Sequence, residues 1–136
     1  NGLCLLNSKR IRVCLHMSAF DTTINALTRF SARRRIVSAI AKTSTLVIYE
    51  VPAGKTLRIE SMSVCNVATT TATFRFHVVG ANESIASSNA VYYDNPLRGN
   101  ATLLDDSIRY LNAGDRIAIR SDTSSAIVIQ IHGVEE

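Results

Sequence analysis

The sequence predicts an all-β fold, a two-sheet antiparallel β-sandwich of jelly-roll-like kind, with a helical or extended N-terminal arm ahead of it. Three observations carry this. From Thr45 onward the apolar residues recur largely with period two instead of three and four. The runs are short and recur roughly every 8–12 residues between turn residues, giving about seven to nine strands, as in a sandwich or barrel. Finally, VPAGKTLRIES at residues 51–61 is echoed by LNAGDRIAIRS at residues 111–121, with Gly54 and Gly114 offset by 60 positions. A repeated turn–strand unit suits a sandwich of two pseudo-symmetric halves.

The elements follow in order. Phe20, Ile24 and Leu27 fall at i, i+4 and i+7, one face of a helix that Ser18 or Asp21 can cap, and SARRRIVSAIAK continues the segment to about residue 41. A lone helix of this length is marginal in water, so the segment needs a partner surface. Leu46–Val51 reads as a strand rich in β-branched and aromatic residues, and Pro52-Ala53-Gly54-Lys55 as a turn. Leu57, Ile59, Met62 and Val64 form the next strand, and the slip between Ile59 and Met62 asks for a bulge at Ser61. After a turn at Thr69–Thr71, Phe74, Phe76 and Val78 alternate with Arg75 and His77, a half-buried strand with core phenylalanines. Residues 80–90 read as a surface loop. Val91–Tyr93 is a short strand ended by Asp94-Asn95-Pro96, and further strands fall at residues 101–104, 107–111, 117–119 and 126–131.

Composition bounds the function. The chain has 136 residues, of which 46% are apolar and 19% charged, enough for one ordinary globular domain. The net charge of +4 divides into +7 on residues 1–43 and −3 on residues 44–136. The expected domains are therefore a basic arm, 1–43, and a mildly acidic sandwich, 44–136. Such an arm meets an anionic partner or is merely solvated. Residues 1–16 read as a leader foreign to the domain, ahead of an ordinary-looking start at Met17. No apolar run approaches the ~20 residues of a membrane helix. Cys4, Cys14 and Cys65 are an odd set without a regular frame, which argues against a disulfide scaffold. Cys65 reads as a buried free thiol, in keeping with a reducing cytoplasm.

Motifs for chemistry are missing. His16, His77 and His132 lack metal-site spacing, and His77 and His132 read as surface or rim side chains. Asp105 and Asp106 are neighbours and so cannot flank one bond together; a turn or exposed acidic spot is the simpler account. No nucleophile elbow, phosphate loop or dinucleotide fingerprint occurs. The expectation is a non-enzyme without catalytic, cofactor-binding or metal residues. Tyr92 and Tyr93 point to opposite sides of a strand, one into the core and one outward, where it is a candidate surface contact for protein or glycan.

VPAGKTLRIESMSVCN, FRFHVVG, NAVYYDNPLRGNATLL and IRYLNAGDRIAIRSDTSSAIVIQIHGVEE together resemble small β-sandwich virion proteins of tailed bacteriophages, of the head-decoration, fibre and tail-accessory type. The resemblance spans roughly residues 46–136 and contains no catalytic motif. It implies a virion structural protein assembled in the host cytoplasm. Its partners would be other virion proteins and copies of itself, a trimer being favoured. The arm, with Phe20, Ile24, Leu27, Arg33, Arg34 and Arg35, would be the attachment device. Two other classes compete. One is a carbohydrate- or receptor-binding module using loops 80–90 and 121–125 with Tyr92 or Tyr93. The other is a nucleic-acid binder acting through Arg33–Arg35, whose affinity would fall steeply with salt.

Overall fold

The computed structural model describes residues 32–136. They form nine strands: β1 (Arg34–Ile40), β2 (Leu46–Glu50), β3 (Leu57–Asn66), β4 (Ala72–Val79), β5 (Ala90–Leu97), β6 (Thr102–Asp105), β7 (Arg109–Leu111), β8 (Arg116–Ser121) and β9 (Ile127–Glu135). A single 3₁₀ turn, Ser87–Asn89, lies in the β4–β5 loop. The strands make two antiparallel sheets. Sheet A runs β1-β9-β3-β6, with β7 also on β3; sheet B runs β2-β8-β4-β5.

β6 and β7 pair with the same side of β3, Cys65↔Thr102 through Met62↔Asp105 and then, shifted by one residue, Ile59↔Arg109 through Leu57↔Leu111. They are one edge lane interrupted at residues 106–108. The first half of the chain then pairs with the second in reverse order: β1 with β9, β2 with β8, β3 with β6 and β7, β4 with β5. The chain is one long hairpin whose tip is the β4–β5 loop. Rolling it up adds the β3–β9 and β4–β8 pairs and splits the strands between two sheets. This is the jelly-roll-like sandwich that the pattern predicts.

The inward faces make one core. Leu57, Ile59, Met62 and Val64 of β3 and Ile127, Ile129 and Ile131 of β9 face Phe74 and Phe76 of β4 and Ile117 and Ile119 of β8, all buried. Alternation on β3, β4 and β9, broken at the β3 bulge, at His77 and at Val134, fills that space. Buried polar groups are satisfied. Asn66 donates from Nδ2 to the Thr70 and Leu97 carbonyls, each at 2.9 Å, and accepts from the Ala68 amide at 2.9 Å. The echoed turns are equivalent: Gly54 and Gly114 both take positive φ, 77° and 87°, and each opens a strand, β3 in sheet A and β8 in sheet B. They also touch, the Gly114 amide donating to the Val51 carbonyl at 2.9 Å.

Several expectations need correction. The helical spacing expected to run to residue 41 gives way to β1 over Arg34–Ile40, which adds an edge to sheet A beside β9. Ile36, Val37 and Ile40 are β-branched, and a ladder partner in β9 outweighs local helical spacing. The strand begins ten residues before the expected arm–sandwich boundary. The β3 bulge lies at Glu60, between Ile59 and Ser61, one residue early. β5 continues through Asp94-Asn95-Pro96, because it is the edge of sheet B, where Pro costs no ladder bond. His77 is buried, its Nδ1 3.0 Å from Asn89 Oδ1, because the β4–β5 loop folds back over it. Cys65 is half-buried on the outer side of β3. Residues 1–16 lie outside the described part.

The bulge explains Gly133 on the facing strand. A Cβ there would stand 2.1 Å from the Arg58 carbonyl oxygen and 3.1 Å from the Ile59 Cα, both backbone atoms that cannot yield. Gly133→Ala is expected to lower stability by about 1–3 kcal/mol, the usual scale for overpacking. Urea unfolding of the two proteins checks this; an unchanged midpoint would contradict the close approach.

Candidate functional site

Two surfaces stand out, one on each sheet. Sheet A is crossed by four straight rows of neighbours: Val37–Ile131–Met62–Asp105, Ser38–Gln130–Ser63–Leu104, Ala39–Ile129–Val64–Leu103 and Ile40–Val128–Cys65–Thr102. Alternate rows face the core. The other two face outward and hold only apolar and small uncharged side chains, save Gln130. The most exposed large apolar side chains among the described residues lie on the β6–β7 edge: Tyr110 at 76%, Leu104 at 72% and Ile108 at 56%. Tyr110 also flanks an open groove lined by Arg58, Asn112 and Val134. Apolar groups gathered on one exposed edge are the usual mark of a contact with another protein.

At the opposite edge stands the arginine run. Arg33 Nε lies 2.6 Å from Glu60 Oε1, and Arg58 holds the same carboxylate at 2.7 Å. The Arg58 hydrogen bond, with both guanidinium charges, holds Glu60 below the usual carboxylate range against the opposing effect of burial. Arg34 reaches Glu135 at 3.5 Å. Arg35 is exposed beside His132 and has no ion pair among the described residues. The run is thus largely compensated by the sheet it edges. Phe20, Ile24 and Leu27 lie outside the described residues.

The interior carries two polar bridges between the sheets, which sequence reasoning missed. On one side Tyr49 of β2 donates its hydroxyl hydrogen to the Glu135 carboxylate of β9. Burial and the Glu135 carboxylate push that hydroxyl up to about 12, so it remains a donor. On the other side Tyr92 of β5 donates to Asp105 Oδ2 of β6 at 2.7 Å. Asp105 also accepts from the Ser107 amide at 2.8 Å and from Arg109 at 3.3 Å. Burial alone would raise its pKa; these hydrogen bonds and the Arg109 charge outweigh it and hold the carboxyl down to about 2. Of the adjacent pair, only Asp106 is exposed. The Tyr–Asp pairing leaves no sequence signal, since 13 positions separate the partners.

Tyr92 and Tyr93 diverge as expected. Tyr92 packs on Phe74, ring centroids 5.3 Å apart. Tyr93 faces outward at 50% exposure. Its ring is fixed by the Arg75 guanidinium 4.0 Å from the centroid and by His77 edge-on at 6.4 Å. Arg75 in turn grips Asp94 through Nε at 2.7 Å and Nη2 at 3.0 Å. That bond leads the causes that hold the exposed Asp94 carboxyl low. Asp94 sits in the left-handed region at φ 51°, a conformation that non-glycine residues keep only where neighbours enforce it. Beside them an open cleft of about 330 Å³ is lined by Thr73, Arg75, Asp94, Arg120, Ser121 and Asp122. The structure therefore joins Tyr93 to the 121–125 loop, while the 80–90 loop covers His77 behind it. Among the described residues no group of three His, Cys, Asp or Glu side chains is placed to hold a metal ion. No helix among them is long and apolar enough to cross a membrane.

No family model matches the chain, and no curated protein matches it in sequence. Among solved structures it is similar to a protein of the disulfide-linked pili that form Bacillus endospore appendages, at 9% identity over 76% of this chain and 87% of that one, TM-score 0.42. It is similar to a chain of infectious bursal disease virus, strain Gx, at 9% identity over 76% of this chain and 33% of that one, TM-score 0.40. A pentameric capsid protein from metagenomic phage sequences is similar at 14% identity over 74% of this chain and 59% of that one, TM-score 0.35. At such identities and scores the likenesses carry no argument about function.

The Asp105 bridge makes a pH prediction. A carboxyl depressed to about 2 from 3.8 contributes stability that is present above about pH 4 and lost as pH falls toward 2. Asp105→Asn should be less stable than wild type at pH 7, and the difference should shrink across that window. Urea unfolding at several pH values reads it; a difference independent of pH would contradict the bridge.

Proposed function

We propose that this protein is a structural component of a tailed-phage virion, a capsid-decoration, head–tail or tail accessory protein that works by assembling with other virion proteins and with itself. The observation that carries this reading is the β6–β7 edge, where Tyr110, Leu104 and Ile108 stand in water along one side of a well-packed sandwich. The sequence resemblance supplies the virion setting. A cyclic assembly, three copies favoured, fits a domain that leaves one edge so exposed. The segment before β1, with Phe20, Ile24 and Leu27, serves in this reading as a docking arm, and Arg33–Arg35 mark where it enters the sandwich. Changing Leu104, Ile108 and Tyr110 together to Ser should leave the melting temperature within a few degrees of wild type and reduce the oligomer to monomer in light scattering. A triple variant that kept the wild-type mass would remove this edge from the account. Detection of the chain in purified particles by mass spectrometry tests the virion setting.

The Tyr93 surface favours a second reading, a carbohydrate-binding module. A ring held by Arg75 beside Asp94 and Asp122 offers a stacking face and fixed hydrogen-bonding groups without further ordering cost. On a glycan array wild type should give hits that Tyr93→Ala loses. An array without hits for wild type would sink this reading.

A further inference from the structure

We infer that the two edges of sheet A are mates: β1 of one copy pairs antiparallel with β6 of the next, so that the protein adds to itself head to tail. The inference rests on the assembly reading and names its contact.

Strand direction suits this contact. β1 is antiparallel to β9, β9 to β3, and β3 to β6. Three reversals leave β1 and β6 running in opposite directions at opposite edges. A second copy, placed so that its sheet continues the first with outer faces on the same side, sets its β1 antiparallel to β6. Antiparallel neighbours form the more stable ladder.

The side chains match in that continuation. The outward rows end in Ser38 and Ile40 on one edge and in Leu104 and Thr102 on the other, so Ser38 comes beside Leu104 and Ile40 beside Thr102. Ile40 is exposed at 43%. The inward rows continue likewise, so the apolar face of each sheet stays inside. One step along, Arg35 pairs with His132, and His132 with Ser61. Ser61 precedes Met62, the partner of Asp105, and Asp106 follows Asp105 just past the end of β6, level with that row although no ladder pair joins it to Ser61. Head-to-tail contact thus brings an exposed Arg beside an exposed Asp. The following row ends in Arg34 and Arg109, each already held by a carboxylate of its own copy, Glu135 and Asp105. The contact is therefore assigned to β6 and not to β7.

Past a bulge at Ile36, the aligned stretches Val37–Ile40 and Thr102–Leu104 lack the usual protection. Sheet edges are normally blunted by charge, Pro or a twist. The β5 edge of sheet B has all three, with Asp94, Pro96 and a left-handed backbone at Asp94. Residues Ile36–Ile40 and Thr102–Leu104 contain neither Pro nor a charged side chain. A contact between unlike edges closes into a ring if its rotation permits and otherwise extends as a filament.

Two full-length variants test this, each with one edge guarded by lysine: Ser38→Lys with Ile40→Lys, and Thr102→Lys with Leu104→Lys. All four positions are exposed, so both should melt within a few degrees of wild type. In light scattering each alone should be monomeric, while their equimolar mixture, with one intact β1 and one intact β6 to join, should show twice the monomer mass. A folded variant that keeps the wild-type mass alone, or a mixture that stays monomeric, overturns the pairing. A charge exchange gives an independent reading: Arg35→Glu should weaken association roughly tenfold, and adding Asp106→Arg should restore it. No restoration would count against the register. A wild-type protein that is itself monomeric would overturn the assembly reading, whereas an oligomer indifferent to both lysine variants overturns only this contact.

Discussion

In a hairpin of antiparallel strand pairs, neither apolar face is buried until β3 pairs with β9 and β4 with β8. Those two pairings roll the hairpin and bring Phe74 and Phe76 over Ile129 and Ile131. The apolar area removed from water there, at roughly 25 cal/mol per Å², is the main force holding the sheets face to face. The Glu60 bulge and Gly133 are local consequences, since the bulged strand must approach β9 closely to keep its nine-residue ladder. Tyr49–Glu135 and Tyr92–Asp105 close the two flanks, each satisfying a polar group that the roll would otherwise bury unpaired.

Rolling also decides what is left outside. A sandwich, unlike a closed barrel, keeps four edges. β5 is guarded by Asp94 and Pro96, and its hairpin tip folds over His77 and stays with its own domain. The two edges of sheet A are different. They are regular where their rows align, uncharged over that stretch, and opposite in direction. An edge of that kind in an isolated monomer is a liability; in an assembling protein it is the attachment surface. The Tyr93 cluster, on the outer face of the other sheet, is left accessible by the same arrangement.

Much of this was legible in the amino-acid order. Period-two alternation located β3, β4 and β9, because each buries chiefly one face, whereas β8, buried at Ile117, Ala118 and Ile119 alike, was legible from the Ala-Gly turn ahead of it. The Ala-Gly turns at Gly54 and Gly114 were readable because only a residue free to take positive φ fits there. The opposite orientation of Tyr92 and Tyr93 followed from their adjacency. β1 was not legible, because Phe20, Ile24 and Leu27 set a helical period that runs on into RRRIVSAIA, and what makes Arg34–Ile40 a strand is a partner some 90 positions away. Asp105 reads from sequence as part of a turn or an exposed acidic spot for the same reason: its hydrogen bond to Tyr92 exists only once the sheets face each other. Nor can a sequence show that Ser38 and Leu104 end the same row, since that needs three registers at once.

The central claim is that sheet A presents its two edges to neighbouring copies. Amide hydrogen exchange of the full-length protein, compared between dilute and concentrated solution, reads this strand by strand. The account predicts that amides of Ile36–Ile40 and Thr102–Leu104 gain protection together on concentration, while those of β5 do not change. Protection gained at β5 alone, or at one edge of sheet A without the other, would contradict it.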